Sequence, residues 1–391
     1  MIRIFHLLFV LAIIISFSKS VNGQATTSGA NTITTAVPFL TITPDSRAGG
    51  MGDAGVGSTP DLSSQHWNPA KYAFMESEMG VSLSYSPWLR NLVSDINLAY
   101  LVGYKKIDDL QTVSSSLRYF SLGDIIFTSE YGTFEGQKSP NEFAIDIGYT
   151  RLLSEIFSGS VAIRYIRSDL TGGQLVNGVE TKAGNSYSAD VAFYLYNEFR
   201  ANRRNNILTA GINIQNIGAK ISYTDGEVKD FIPALMKLGA AYTTEIDQYN
   251  TFTFAIEANK LLVPTPPVDT IMYEEGYIIY PGGHYSDKSV IGGIFSSFTD
   301  APGGMQEELQ EINISGGVEY WYNQQFALRA GYFWEHENKG NRKFLTAGAG
   351  FKMNVFSLDF SYLLPTRQNH PLQNTLRFTL SFDVEAFDNQ R

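Results

Sequence analysis

The residues Gly50-Met51-Gly52-Asp53-Ala54-Gly55 have the G-x-G-x-x-G spacing that lets a backbone close on a pyrophosphate. Glu76, about twenty residues on, stands where an acid would hold a ribose hydroxyl. That chemistry needs a strand, a tight turn and a helix whose N-terminus faces the phosphates. Here Gly57, Ser58, Thr59 and Pro60 end any such helix at once. The glycines are expected instead to permit a path in which backbone packs on backbone, and no cofactor is expected.

Other reactive groupings are equally incomplete. His336-Glu337-Asn338-Lys339-Gly340 lacks the second histidine of a zinc-protease helix, and no G-x-S-x-G elbow occurs. His66 precedes Trp67, while His284, His336 and His370 fall in separate loops and read as solvated rather than metal-bound. Asp108-Asp109 and the group Glu307, Glu308 and Glu311 have cation-binding chemistry, but a solvated turn or loop face is the expectation. Arg200, Arg203 and Arg204 either dock a partner or keep a turn soluble. The absence of cysteine excludes a disulfide scaffold and a thiolate metal site. With no recognisable nucleophile and base, the chain is expected not to be an enzyme.

The elements that would carry these residues are strands. Segments of about ten residues alternate apolar and polar side chains, the dyad pattern of a transmembrane β-barrel. In Thr375-Leu376-Arg377-Phe378-Thr379-Leu380-Ser381-Phe382 one face is wholly apolar and the other is Arg377, Thr379 and Ser381. Fourteen such strands begin near Met79, Asp95, Thr112, Asn141, Phe157, Ser186, Asn206, Ala234, Tyr249, Ile312, Gln325, Lys343, Val355 and Asn374. The even total suits a bacterial outer-membrane barrel, and short and long connections alternate as its inner turns and outer loops do. The 22 tyrosines and 26 phenylalanines suit aromatic girdles at two membrane interfaces.

Outward faces such as Ile96/Leu98/Tyr100, Phe143/Ile145/Ile147/Tyr149 and Phe326/Leu328/Ala330/Tyr332/Trp334 carry no charge. Asp95, Arg118, Asp146, Arg164, Asp190, Lys237, Glu257, Glu319, Arg329, Lys352, Asp359 and Arg377 are assigned inward, acids and bases in equal number. Arg or Lys on the lipid face would cost roughly 2 to 4 kcal/mol at the midplane, so this segregation is demanded. A matched interior suggests ion pairs around a plug rather than an ion-selective pore.

Met1 to Gly23 reads as a secretory signal, with Arg3, an apolar stretch from Leu7 to Phe17 and small residues near its end. Cleavage is placed after Gly23, with Ser20 and Ala25 as alternatives. The formal charge of -10 argues against nucleic acid as a partner. The expected organisation is a signal peptide over 1–23, an N-terminal plug over 24–78 and a barrel over 79–391 with a long outer loop over 260–311. That loop exceeds ordinary connections and is apolar, so Tyr273, Tyr277, Ile278, Ile279, Tyr280, Ile294 and Phe295 are candidate partner-binding residues. In the third strand, Gly123 and Asp124 interrupt the alternation, as a distortion of the wall or as an ordinary bulge.

Within the N-terminal segment, Pro44, Asp45, Arg47, Gly49, Gly50, Met51, Gly52 and Asp53, followed by Asn68 and Pro69, carry a resemblance. The stretch from Pro38 to Phe74 strongly resembles the PorV family, outer-membrane components of the type IX secretion system. More distantly, Arg47 to Gly52 and Asn68-Pro69-Ala70 look like the N-terminal hatch of FadL-like barrels that pass hydrophobic compounds. The resemblance implies an all-β, fourteen-stranded antiparallel barrel with an N-terminal plug, placed in the outer membrane. It also implies a non-enzymatic role: collecting cargo proteins that bear a C-terminal sorting domain from the giant translocon barrel. The cargo would pass to an attachment complex containing a sortase-like peptidase, with outer-membrane lipid or lipopolysaccharide as a further partner. The alternative is a transporter of hydrophobic small molecules, which would want an apolar path through the lumen. An enzyme acting on lipopolysaccharide is a third reading.

Overall fold

The structure, a computed structural model, describes residues 31–383 except 91–92, 94, 129–133, 171–174, 177–178, 202, 226–228, 267–270, 273–277, 280–286 and 368–370. The expected signal, Met1 to Gly23, lies outside these residues, as do Tyr273, Tyr277, Tyr280, His284 and His370. Fourteen antiparallel strands close on themselves in sequence order. They are β1 (Met79–Pro87), β2 (Asn97–Asp108), β3 (Gln111–Ser121), β4 (Asn141–Ser154), β5 (Phe157–Asp169), β6 (Gly184–Ala201) and β7 (Arg204–Gly218). The second half comprises β8 (Leu235–Glu245), β9 (Asn250–Leu261), β10 (Asn313–Tyr322), β11 (Phe326–Trp334), β12 (Lys343–Met353), β13 (Phe356–Pro365) and β14 (Leu376–Asp383). Pairing of Tyr85 with Phe378 and Gly80 with Asp383 joins the last strand to the first. Closure leaves no unpaired edge, which is what a wall of strands in lipid requires. No described helix is long and apolar enough to cross a membrane.

Turn chemistry sets one rim. The β2–β3 turn is closed by the Asp108 carboxylate, which accepts from Leu110 N at 2.8 Å and Gln111 Nε2 at 2.6 Å. The β10–β11 turn uses Asn323 and Gln324, both at positive φ. Every short turn lies on this rim, and the long connections lie on the other. Three of those connections carry small two-stranded hairpins of their own, including Ile125–Thr128 with Phe134–Lys138.

Alternating burial follows the expected faces, with one inversion. Leu98, Tyr100, Val102 and Tyr104 of β2 are buried, and Leu101 and Lys105 are exposed. The outward assignment of Leu98 and Tyr100 is therefore reversed. Both faces of β2 are apolar enough to serve, and the inward one is chosen by packing: Leu98 joins Phe39, Leu40, Phe120 and Ile166 in a buried apolar cluster. Of the residues assigned inward, Asp95 sits exposed before β2, and Lys352 is exposed at the short-turn rim; the other ten are buried.

Candidate functional site

The N-terminal segment runs from one rim to the other. At its start Asn31 N donates to Asn338 O at 3.0 Å among the long connections. At its end Glu78 O accepts from Lys106 N at 2.7 Å, beside the β2–β3 turn. Between them stand two short helices, α1 (Ser46–Gly50) and α2 (Ser64–Trp67), and a 3-10 turn over Pro69–Phe74.

Asp45 caps α1, its carboxylate accepting from Ala48 N at 2.9 Å, and also accepts from Trp67 Nε1 at 2.7 Å. One side chain thus fixes α1 and docks α2 against it; burial pushes its carboxyl up. Arg47, next along, grips Glu319 of β10 through Nε at 3.0 Å and Nη2 at 2.8 Å. It also reaches Asp61 at 2.9 Å and the Thr59 carbonyl at 3.1 Å. Burial alone would raise the Asp61 carboxyl, but Lys71 and Arg47 hold it below the usual carboxylate range. Glu319 in turn accepts from Arg329 Nε at 2.6 Å, and Arg329 Nη1 reaches Asp359 at 2.6 Å. A chain of alternating charges therefore crosses from the segment onto β10, β11 and β13.

The glycines of the false nucleotide motif have structural causes. Gly52 holds φ +72, and a Cβ there would lie 2.5 Å from Tyr332 N of the wall. A Cβ on Gly55 would strike the Trp67 ring at 2.2 Å. Gly55 N and Val56 N both donate to one oxygen of Glu257, at 2.7 and 2.8 Å. Gly49 and Gly50 lie against Arg377 and Arg329, and Met51 is fully buried against Gly317. Asp53 stands 3.5 Å from Arg377. Asn68 donates to Phe193 O at 3.0 Å and caps the 3-10 turn that begins at Pro69, accepting from Ala70 N at 3.0 Å. The motif residues from Pro44 to Pro69 are brought together against inward-facing side chains.

His66, which the sequence placed only as the neighbour of Trp67, is buried beside Tyr100 and Trp67. Burial first, then the cations Arg118, Lys237 and Arg164, drive its pKa well below 6.5. The neutral ring can then accept a hydrogen bond from the Arg118 guanidinium through Nδ1. Arg118 also donates to Leu40 O at 2.6 Å.

On the long-loop rim the acid group is paired with lysines rather than solvated. Lys260 Nζ lies 3.0 Å from Glu308 and 2.6 Å from Glu311, and Lys339 Nζ lies 2.5 Å from Glu307 and 3.0 Å from Glu311. Glu308 and Glu311 are buried, which corrects the expectation of a solvated face: the cations they hold are ammonium groups from distant strands and loops. No cluster of metal-ligating side chains occurs among the described residues.

Glu307 and Glu308 of the clamp belong to α4 (Met305–Gln310), and α3 (Val290–Ser296) precedes it in the same connection. The two described candidates on α3 separate: Ile294 packs on Phe231, Leu262 and Val263, while Phe295 is 73% exposed. Ile278–Ile279 pair with Ile271–Met272 in a small hairpin. Ile291, Met305 and Leu309 are also largely exposed, at 57%, 67% and 60%. These three were not among the candidates, although Ile291 and Phe295 have the i, i+4 spacing of one helix face. Gly123 and Asp124 lie just past the end of β3, Gly123 at φ +79, and the ladders to β2 and β4 are paired through Ser121. Asp124 accepts from Gln137 at 2.8 Å and Ser139 at 2.5 Å, turning the chain into its hairpin.

A family model described as "Type IX secretion system protein PorV" matches residues 25–268. No curated protein sequence matches the chain. Among solved structures, the Pseudomonas putida toluene transporter TodX is similar at 10% identity, with TM-score 0.48 over 87% of this chain and 97% of that one. The Ralstonia pickettii toluene transporter TbuX matches at 9% identity and TM-score 0.43, over 87% and 97%. A Pseudomonas aeruginosa FadL homologue matches at 11% identity and TM-score 0.41, over 88% and 99%.

Proposed function

The chain belongs to the PorV family of type IX secretion system proteins, and from that premise we propose that it is a non-enzymatic carrier of secreted cargo in the outer membrane. It receives proteins bearing the C-terminal sorting domain at the giant translocon barrel and delivers them to the attachment complex with its sortase-like peptidase. Residues 24–78 act as the plug, and the barrel works through its outer surface rather than through its lumen.

The observation that carries this reading is the family match, which spans the N-terminal segment and the first nine strands. The interior supports it. A path for hydrophobic molecules would have to pass the charges of Arg47, Glu319, Arg329 and Asp359 and the buried triad formed by Arg164 with Asp146 and Asp190. The apolar cluster at the other rim is already filled by Val37, Phe39 and Leu40 of the chain itself.

The partner surface belongs to α3 and α4. Their inner sides are held by the two lysines and by Phe231, and Ile291, Phe295, Met305 and Leu309 remain exposed. Large apolar side chains left exposed on two anchored helices support a contact surface there. The test is tagged purification from native membranes in mild detergent. Recovery of a very large barrel and of sorting-domain proteins is expected, and Phe295→Ser with Met305→Ser should reduce both while the barrel stays heat-modifiable. A lone barrel with bound fatty acid would overturn the reading in favour of transport.

A further inference from the structure

The outer wall carries a feature that spanning a membrane does not require. Strand register sets Val81, Gly103, Ser115 and Ile147 side by side across β1 to β4. The next outward row toward the long connections is Leu83, Leu101, Leu117 and Ile145, all large and all exposed. Two small residues between Val81 and Ile147 leave a dent, and the wall there holds an open groove of about 700 Å³. Ser115 presents no free donor to the groove, because its hydroxyl donates to Asp146 O at 2.9 Å.

Charge lies at one end of this groove only. One outward row toward the short turns stands Lys105, and one row further stands Arg151, opposite Gln111. Both are exposed, and among the described residues neither side chain has an ion-pair partner or an internal hydrogen bond. The Asp108 carboxylate, close enough to feel Arg151, is occupied by Leu110 N and Gln111 Nε2. Tyr149 donates to Gln111 Oε1 at 2.6 Å between the two cations, an aromatic at the level where girdles meet headgroups. A cation is tolerated on the lipid face only near that level.

Two exposed cations at headgroup height, neither in an ion pair among the described residues, with an apolar groove leading from them toward the bilayer centre, match the two ends of a phospholipid. We propose that β1 to β4 bind one anionic phospholipid of the leaflet at the short-turn rim. Its phosphate lies between Lys105 and Arg151, and one acyl chain lies in the dent over Gly103 and Ser115. Cations alone would attract anionic lipid without selecting a position, and an apolar wall alone would not distinguish headgroups. The juxtaposition of the two makes a site.

The test uses the full-length protein reconstituted in nanodiscs of equal parts phosphatidylglycerol and phosphatidylcholine with identical acyl chains, released into native mass spectrometry. The wild type is expected to retain a single phosphatidylglycerol, preferred by roughly thirtyfold from two near-surface cations. Lys105→Gln with Arg151→Gln should abolish the preference. Ser115→Leu should lower retention several-fold with both cations in place, and Gly103→Ala serves the same purpose if the leucine variant is not heat-modifiable. Equal retention of the two lipids by the wild type overturns the site. So does a preference that survives filling of the dent, which would mean surface charge alone, or a second copy of the chain on this face that Ser115→Leu removes, which would make the groove a protein contact.

Discussion

Arg47 and Glu319, 272 positions apart in the chain, meet as a two-pronged ion pair that ties the N-terminal segment to the inner wall at β10. Glu319 is 1% exposed and also serves Arg329, so the pair is the middle link of a longer chain of charges. Removing one member of a buried pair leaves the other uncompensated, at a cost of about 3 to 5 kcal/mol. Arg47→Leu is expected to lower the temperature at which the barrel loses its compact electrophoretic form. Glu319→Gln should do likewise, and the double variant should cost less than the sum of the singles. Strict additivity would show that the two side chains do not act as a pair.

His66 makes the fold sensitive to mild acid. Its folded pKa lies well below 6.5, first because it is buried and then because Arg118, Lys237 and Arg164 surround it. The unfolded chain therefore binds a proton below about pH 6.5 that the folded chain refuses. The stability from His66 is fully present above that pH and is lost as pH falls toward the folded pKa, at up to about 1.4 kcal/mol per unit. His66→Gln retains an acceptor for Arg118 and cannot titrate. Its urea midpoint, followed by tryptophan fluorescence between pH 7.5 and 5.5 (a window of about one unit either side of the free imidazole pKa), should fall less steeply than the wild type's. Parallel slopes would assign the acid loss to carboxylates alone.

Gly52 should tolerate no side chain. Its φ of +72 and the 2.5 Å separation that an added Cβ would have from the Tyr332 backbone leave no rotamer that relieves the contact. Gly52→Ala is expected to cost at least about 1 to 3 kcal/mol from the backbone conformation alone. A control at Gly316, where a Cβ would meet only Ala255 O at 4.0 Å, should change the melting temperature far less. Equal effects at the two positions would remove the close-approach explanation for the motif's glycines.

The strands were legible because alternation is a local property of the chain. None of the fourteen barrel strands starts more than two residues from its expected position. The face of β2 was not legible, since Leu98/Tyr100/Val102 and Ala99/Leu101/Gly103 are both apolar and the choice rests on Phe39 and His66, distant in sequence. The acids Glu307, Glu308 and Glu311 looked solvated for the same reason: Lys260 and Lys339, which neutralise them, are brought in by the barrel's closure. Helices α3 and α4 are each under two turns, too short for a period of 3.6 to stand out from a loop.

The interior predicts a barrel that does not conduct. Fourteen strands enclose a lumen between the filled eight-stranded barrels and the open sixteen-stranded porins, so something must fill it if ions are not to pass. The N-terminal segment is hydrogen-bonded to walls on several sides: Ser46 N to Thr379, Gly52 N to Thr346, Gly55 N to Glu257, and Thr209 and Ser158 hydroxyls to the Gly57 and Ala70 carbonyls. These bonds are distributed along the segment, so cutting one ion pair should loosen it without releasing it. Reconstituted in planar bilayers, the wild type is expected to show no large steady conductance, Arg47→Leu brief openings, and a chain lacking 31–74 a steady porin-like current. Porin-like current from the intact protein would refute occlusion. Silence from the chain lacking the segment, if its barrel is still heat-modifiable, would place the seal in the long loop held by Lys260 and Lys339.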